Sequence, residues 1–100
     1  MDALKGLTAL QYLDLSGCPL TNVDGFGSLS VLKFLNLLEC DKLKSVQELR
    51  MVGSLKVVAL PKSITDEEIR KLQSHLPNLT IIKGDYFAYQ QAVKVYRMIH

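Results

Sequence analysis

The run LQYLDLSGC, Leu10 to Cys18, returns as LKFLNLLEC, Leu32 to Cys40, leucine for leucine and cysteine for cysteine. Aligning the chain on itself extends the pattern to four copies: Leu10, Leu13, Leu15, Cys18; Leu32, Leu35, Leu37, Cys40; Leu55, Val58, Leu60, Ser63; and Leu76, Leu79, Ile81, Gly84. The copies begin 22, 23 and 21 residues apart. Within L-x-L the side chains alternate, so Leu13 and Leu15 point to one face of a short extended segment while Tyr12, Asp14 and Ser16 point to the other. A single strand of this kind cannot bury its leucines. If each copy makes one turn of a coil, the strands lie side by side about 4.8 Å apart in a parallel sheet, and their inward leucines merge into one core.

From about Leu4 to Gly84 the period and the order L-x-x-L-x-L-x-x-N/C-x-L resemble the leucine-rich repeat family. The resemblance implies an α/β leucine-rich-repeat solenoid, a curved right-handed coil. It would carry a short parallel β-sheet on its concave face, helices and turns on its convex face, and a C-terminal helical cap. One domain, 1–100, is expected, with repeats near 10–31, 32–54, 55–75 and 76–84 and a cap over 85–100. In the family, Asn or Cys at the close of each strand helps to hold the loop. Ser63 and Gly84 depart from that preference, so the later turns are expected to find other support. Cys18 and Cys40 fall on adjacent rungs, where reduced thiols are expected over a disulfide.

The return segments follow from their periodicity. In ITDEEIRKLQSHLP, Thr65 is placed as N-cap with Glu68 completing a capping box, and Ile64 and Ile69 are spaced as a hydrophobic staple. Ile69, Leu72 and Leu76 share one face and Pro77 lies beyond the end, which predicts a helix of roughly 11 residues. In SVQELRMVGSL, Ser45 and Glu48 read as a second capping box on a shorter helix or helical turn, with Leu49, Val52 and Leu55 inward. The first return carries Gly25 and Gly27 and predicts turns or a single 3₁₀ turn, with Val23, Phe26 and Leu29 as its core contacts. In the tail, Ala88, Ala92, Val95 and Ile99 keep helical spacing with Tyr89 and Tyr96 beside them. This reads as a helix that closes the last repeat, with a partner-binding helix as the alternative. ALKGLTAL, before the first copy, supplies only a partial return segment and no visible cap.

The charge balance narrows the classes of function. A composition of 48% hydrophobic and 22% charged residues with a net charge of +2 suits a soluble globular chain. Its Lys and Arg are too scattered to imply nucleic acid. No stretch approaches the roughly 20 apolar residues of a membrane helix and no signal peptide is visible, so a cytoplasmic location without membrane association is expected. No catalytic constellation forms. His75 falls near the end of a predicted helix and His100 is the last residue. Two cysteines fall short of a structural zinc site, and DGFGS lacks the spacing that cradles a phosphate. The run Asp66, Glu67, Glu68 is explained by the helix dipole. The N-L-T sequon at Asn78 lies inside a predicted strand and is not expected to be occupied. A chain without enzymatic activity, cofactor or metal is expected.

A binding surface is better marked. The residues between and beside the strand leucines stack outward in columns: Tyr12, Phe34, Val57, Asn78; Asp14, Asn36, Ala59, Thr80; and Ser16, Leu38, Pro61, Ile82. Two columns are rich in apolar residues where a solvated face would carry charge, which marks a surface that wants to be covered. The protein-binding residues expected on that basis are Tyr12, Asp14, Phe34, Asn36, Leu38, Val57, Ala59, Thr80 and Ile82. Tyr12 and Phe34 would be the anchors, with Lys33 and Lys56 at the rim. On an open face, Phe34→Ser would leave stability nearly unchanged. The resemblance implies a protein or peptide partner, often in an adaptor or receptor. The alternative is a structural subunit or fragment of a larger assembly, in which another chain completes the exposed N-terminal edge at Tyr12 to Ser16.

Overall fold

The computed structural model describes residues 9–84 and 86–98, with the side chains of 86–89 left aside. Expectations for ALKGLTAL up to Thr8, for the side chains of Ala88 and Tyr89, and for Ile99 and His100 lie outside those residues. Four short strands form one parallel sheet in chain order: β1 (Tyr12–Asp14), β2 (Phe34–Asn36), β3 (Val57–Leu60) and β4 (Thr80–Lys83). Aromatic and β-branched residues fill much of these strands, which suits a pleated surface packed on both sides. Helix α1 (Asp66–His75) lies between β3 and β4, and helix α2 (Tyr86–Met98) follows β4.

The register sets one inward residue beside the next: Leu13 faces Leu35, Leu35 faces Val58 and Val58 faces Ile81. Beneath the sheet these side chains join the main core with Leu29, Leu32, Leu37, Leu43, Leu49, Leu60 and Leu72, all without accessible surface. The fourth rung corrects the alignment read from sequence. Val58 pairs with Ile81 in place of Leu79, a shift of two residues that makes the strand offsets 22, 23 and 23. Because strand side chains repeat every two residues, the shift keeps each side chain on its expected face. Leu79 is still buried, at 4% exposure, just before the strand. Asn78 moves out of the strand into an exposed turn. Lys83 takes the place beside Leu60 that a leucine holds on the earlier rungs. Its ammonium donates to the Ile64 carbonyl at 2.8 Å and to the Asp66 carboxylate at 3.2 Å. A lysine stem thus finishes the row where the core runs out and keeps its charge at the surface.

The returns grow more helical along the chain. The first makes one 3₁₀ turn, Phe26–Ser28, with Val23, Phe26 and Leu29 buried as expected. Gly25 precedes it at φ 87°, a left-handed conformation that glycine adopts without steric cost. The second makes a 3₁₀ helix, Gln47–Met51, with Val46 at its N-cap and no side-chain cap. The expected Ser45–Glu48 capping box is therefore absent. In α1, Thr65 caps as expected, its hydroxyl accepting from Glu68 N at 3.2 Å. The Glu68 carboxylate departs from the box and accepts from Val46 N at 3.2 Å and from Gln47 Nε2 at 3.1 Å. It ties the third return to the second.

The loops after β2 and β3 are held by different donors. Cys40 is buried and its thiol donates to the Leu15 carbonyl of the previous rung at 3.1 Å. Burial pushes the Cys40 thiol up, against the lowering effect of the Cys18 and Gly17 backbone amides, which keeps it protonated to donate. Cys18 and Cys40 are both free thiols. Ser63, at the third position of this series, donates to the Leu43 carbonyl at 2.7 Å. This is the other support that its departure from Cys required.

Two outcomes are expected. Leu35→Ala should destabilise the fold by about 2–5 kcal/mol in urea unfolding, since Leu35 has no accessible surface and a cavity would remain. Burial raises the Glu68 pKa, but the hydrogen bonds from Gln47 and Val46 outweigh it and hold the carboxyl below its ordinary value. A depressed carboxylate stabilises above its unfolded pKa and loses that contribution as pH falls through its folded one. The stability advantage of wild type over Glu68→Gln should be full near neutrality and shrink in acid below the ordinary glutamate range. An advantage that does not change with pH would contradict the clamp.

Candidate protein-binding face

The face of the sheet opposite the leucine core begins as two columns set by register. One is Tyr12, Phe34, Val57, Thr80 and the next is Asp14, Asn36, Ala59, Ile82. The shift at the fourth rung removes Asn78 from the first column and moves Thr80 and Ile82 one column over. In the first column, in-register parallel strands hold neighbouring side chains at about the strand spacing of 4.8 Å. Tyr12 and Phe34 accordingly stack with centroids 4.4 Å apart and planes 2° from parallel. In the second column, Asp14 Oδ1 accepts from Ser16 N at 2.9 Å and Asn36 Oδ1 accepts from Leu38 N at 3.0 Å. The same side-chain turn closes both strands, and it satisfies Asn36 in a setting only 2% exposed.

The face is not open as the sequence suggested. Phe34, Val57 and Ala59 have no accessible surface and Leu38 has 3%, because α2 lies over them. Ala92, also fully buried, joins these four residues in a second cluster, with Ile82, Val93, Val95 and Tyr96 packed around it. The tail is a helix, as its spacing predicts, yet these side chains cover the sheet where closure of the last repeat was expected. Ala59 and Ala92 are the small members of the cluster, and small side chains allow a helix and a sheet to approach closely. Tyr96 meets Phe34 edge to face at 5.2 Å and 68°, and Tyr12 at 6.1 Å and 65°. The two anchors expected for a partner are in contact with the chain's own helix.

Of the expected site residues, Phe34, Leu38, Val57, Ala59 and Asn36 are buried, and Thr80 and Ile82 are half-buried. Tyr12, at 40%, and Asp14 are exposed on β1, the strand at the end of the sheet. Among the rim lysines, Lys33 is half-buried and Lys56 exposed. Ala92, Val93, Val95 and Tyr96 belong to this face and were not assigned to it from sequence. Their signal was present in the match between a sheet face rich in apolar residues and a tail with one apolar stripe. The outer side of α2 offers Gln90, Lys94, Arg97 and Met98 to solvent.

Residues 8–51, which hold β1, β2 and both 3₁₀ turns, match the family model of leucine rich repeats in two copies, which supports a leucine-rich repeat protein. β3 and β4 carry the same ladder beyond the matched segment. Leucine-rich repeat domains generally mediate protein–protein interaction and are typically non-enzymatic. No curated protein and no solved structure matches the chain. Among the described residues, no helix is long and apolar enough to cross a membrane, and no group of three or more His, Cys, Asp or Glu could hold a metal ion. His75 is exposed in the last turn of α1.

Phe34→Ser is now expected to destabilise severely, by about 3–5 kcal/mol, because it removes a ring buried between Tyr12 and α2. Urea unfolding should rank it with core substitutions. A loss under about 1 kcal/mol would restore the open face expected from sequence.

Proposed function

We propose that this chain is a non-catalytic protein-interaction module that meets a protein or peptide partner at the first rung of its outward sheet face. Tyr12 and Asp14 of β1 would make the contact together with Tyr96 of α2. One observation carries the reading: Tyr12 remains 40% exposed on a face where its column neighbours Phe34 and Val57 have no accessible surface. Stacked on Phe34 and edged by Tyr96, its ring is already oriented, so a partner loses less conformational freedom in fixing it. Aromatic side chains held in this way supply much of the energy at interface centres. Lys56, just before β3, and Lys94 and Arg97 on α2 would favour acidic groups around the partner's contact.

The test compares proteins retained by immobilised wild type, Tyr12→Ser and Met51→Ser. Met51 is 61% exposed on the second return, away from the sheet face, and serves as the control. Tyr12→Ser should weaken retention of a specific partner by on the order of 30-fold, as for loss of a hot-spot residue, while Met51→Ser leaves it unchanged. Retention lost with Met51→Ser and kept with Tyr12→Ser would move the interface to the opposite side.

A further inference from the structure

Among the described residues there are two separate apolar clusters. The leucine core beneath the sheet includes Leu35, Val58 and Leu60, whereas Phe34, Leu38, Val57, Ala59 and Ala92 form the second cluster above it. The described α2 side chains that join a cluster, Ala92, Val93, Val95 and Tyr96, belong to the second. Lifting these residues off the sheet would open the second cluster and not the leucine core, as expected of a local unit less stable than the strands it covers. Of the helix's described side chains Ala92 is fully buried, Val93, Val95 and Tyr96 are half-buried, and Gln90, Gln91, Lys94, Arg97 and Met98 face solvent. The surface it would leave behind, Phe34, Leu38, Val57 and Ala59, is apolar and unsuited to remaining in water.

We propose that α2 is a built-in occupant of the recognition face, displaced when an amphipathic helix of a partner takes its place. The proposal rests on the reading that this face is where a partner is met. The chemistry of the incoming helix follows from the one seated there. It would carry a small residue over Ala59, followed at the next, third and fourth positions by side chains like Val93, Val95 and Tyr96, with a polar opposite side. Entry would begin with the contact at Tyr12 and Tyr96 described above, their ring centroids 6.1 Å apart, and Tyr96 would then leave with α2 as the incoming helix takes its place. A partner must then outcompete a tethered helix of high effective concentration, so its observed affinity is reduced by the fraction of molecules in which α2 is seated.

The experiment uses the full chain, wild type and Ala92→Arg, and a labelled peptide of residues 86–98 as the probe. An arginine at position 92 cannot be buried against Ala59 and Val57 without an unpaired charge, so the tethered helix is expelled in the variant. The peptide should bind Ala92→Arg at least tenfold more tightly than wild type, and the same peptide carrying Ala92→Arg should bind neither. Equal binding to both chains, or no binding to a folded variant, overturns the proposal. Should the variant fail to fold, amide exchange in wild type decides. Protection of Ala92 and Val93 at least tenfold below that of Leu35 and Val58 supports a helix that leaves alone, and equal protection overturns it. A wild-type chain that runs as a dimer exchanging α2 between copies overturns it too. Partner retention that depends on Tyr12 while the peptide result is negative would leave the interface reading standing and remove displacement alone.

Discussion

Everything in this structure depends on parallel strands returning in register, each a ladder spacing from the last. Offsets of 22, 23 and 23 residues bring Leu13, Leu35, Val58 and Ile81 into one row. Each side chain in such a row finds its neighbours at the strand spacing, so burial of one rung requires the next. The returns differ widely, from a single 3₁₀ turn to a ten-residue helix, and still deliver the chain to the same ladder position. What is fixed is the place of the strand and what varies is the route to it. Polar links between neighbouring turns hold those routes together: Cys40 to Leu15, Ser63 to Leu43, Ser54 to Leu32 and Glu68 to Val46.

The same register that builds the core also builds the opposite face. A column of Tyr12, Phe34 and Val57 cannot be solvated cheaply, since exposing such side chains forfeits roughly 25 cal/mol for each Å² of apolar surface. The chain answers with α2. A four-stranded sheet thereby gains apolar cover on both sides, which suits parallel strands buried on both faces, and β2 and β3 read as continuously buried for that reason. Self-cover and the proposed recognition draw on one set of residues, and the first rung is the part of it left exposed.

Much of this was legible in the sequence. The leucine rhythm placed β1, β2 and β3, and capping chemistry at Thr65 placed the start of α1. The fourth rung was misaligned by two residues because Leu76, Leu79 and Ile81 imitate the pattern better than Ile81 and Lys83 do. Backbone ladder geometry chose the latter, and a lysine with a carbonyl and a carboxylate within reach fills a leucine's place at the end of the row. Chemical resemblance to leucine was a poorer guide there than distance along the chain. The Ser45–Glu48 box failed for a related reason: its return makes a 3₁₀ helix capped by backbone at Val46, and the carboxylate that meets Val46 N comes from Glu68. The apolar-rich columns and the striped tail were each noticed, but period and propensity do not say which surface a terminal helix will choose. That choice is a long-range packing event, decided by where apolar area is left uncovered.

The most direct test of this arrangement is the set of through-space contacts made by the Tyr96 ring in a nuclear Overhauser spectrum of the full chain. With α2 seated on the outward face, Tyr96 should show cross-peaks to the rings of Phe34 and Tyr12, whose centroids lie 5.2 and 6.1 Å away. Cross-peaks from Tyr96 to Leu79 and Ile81 in their place would put the helix at the end of the stack, and the two-sided sheet described here would be wrong.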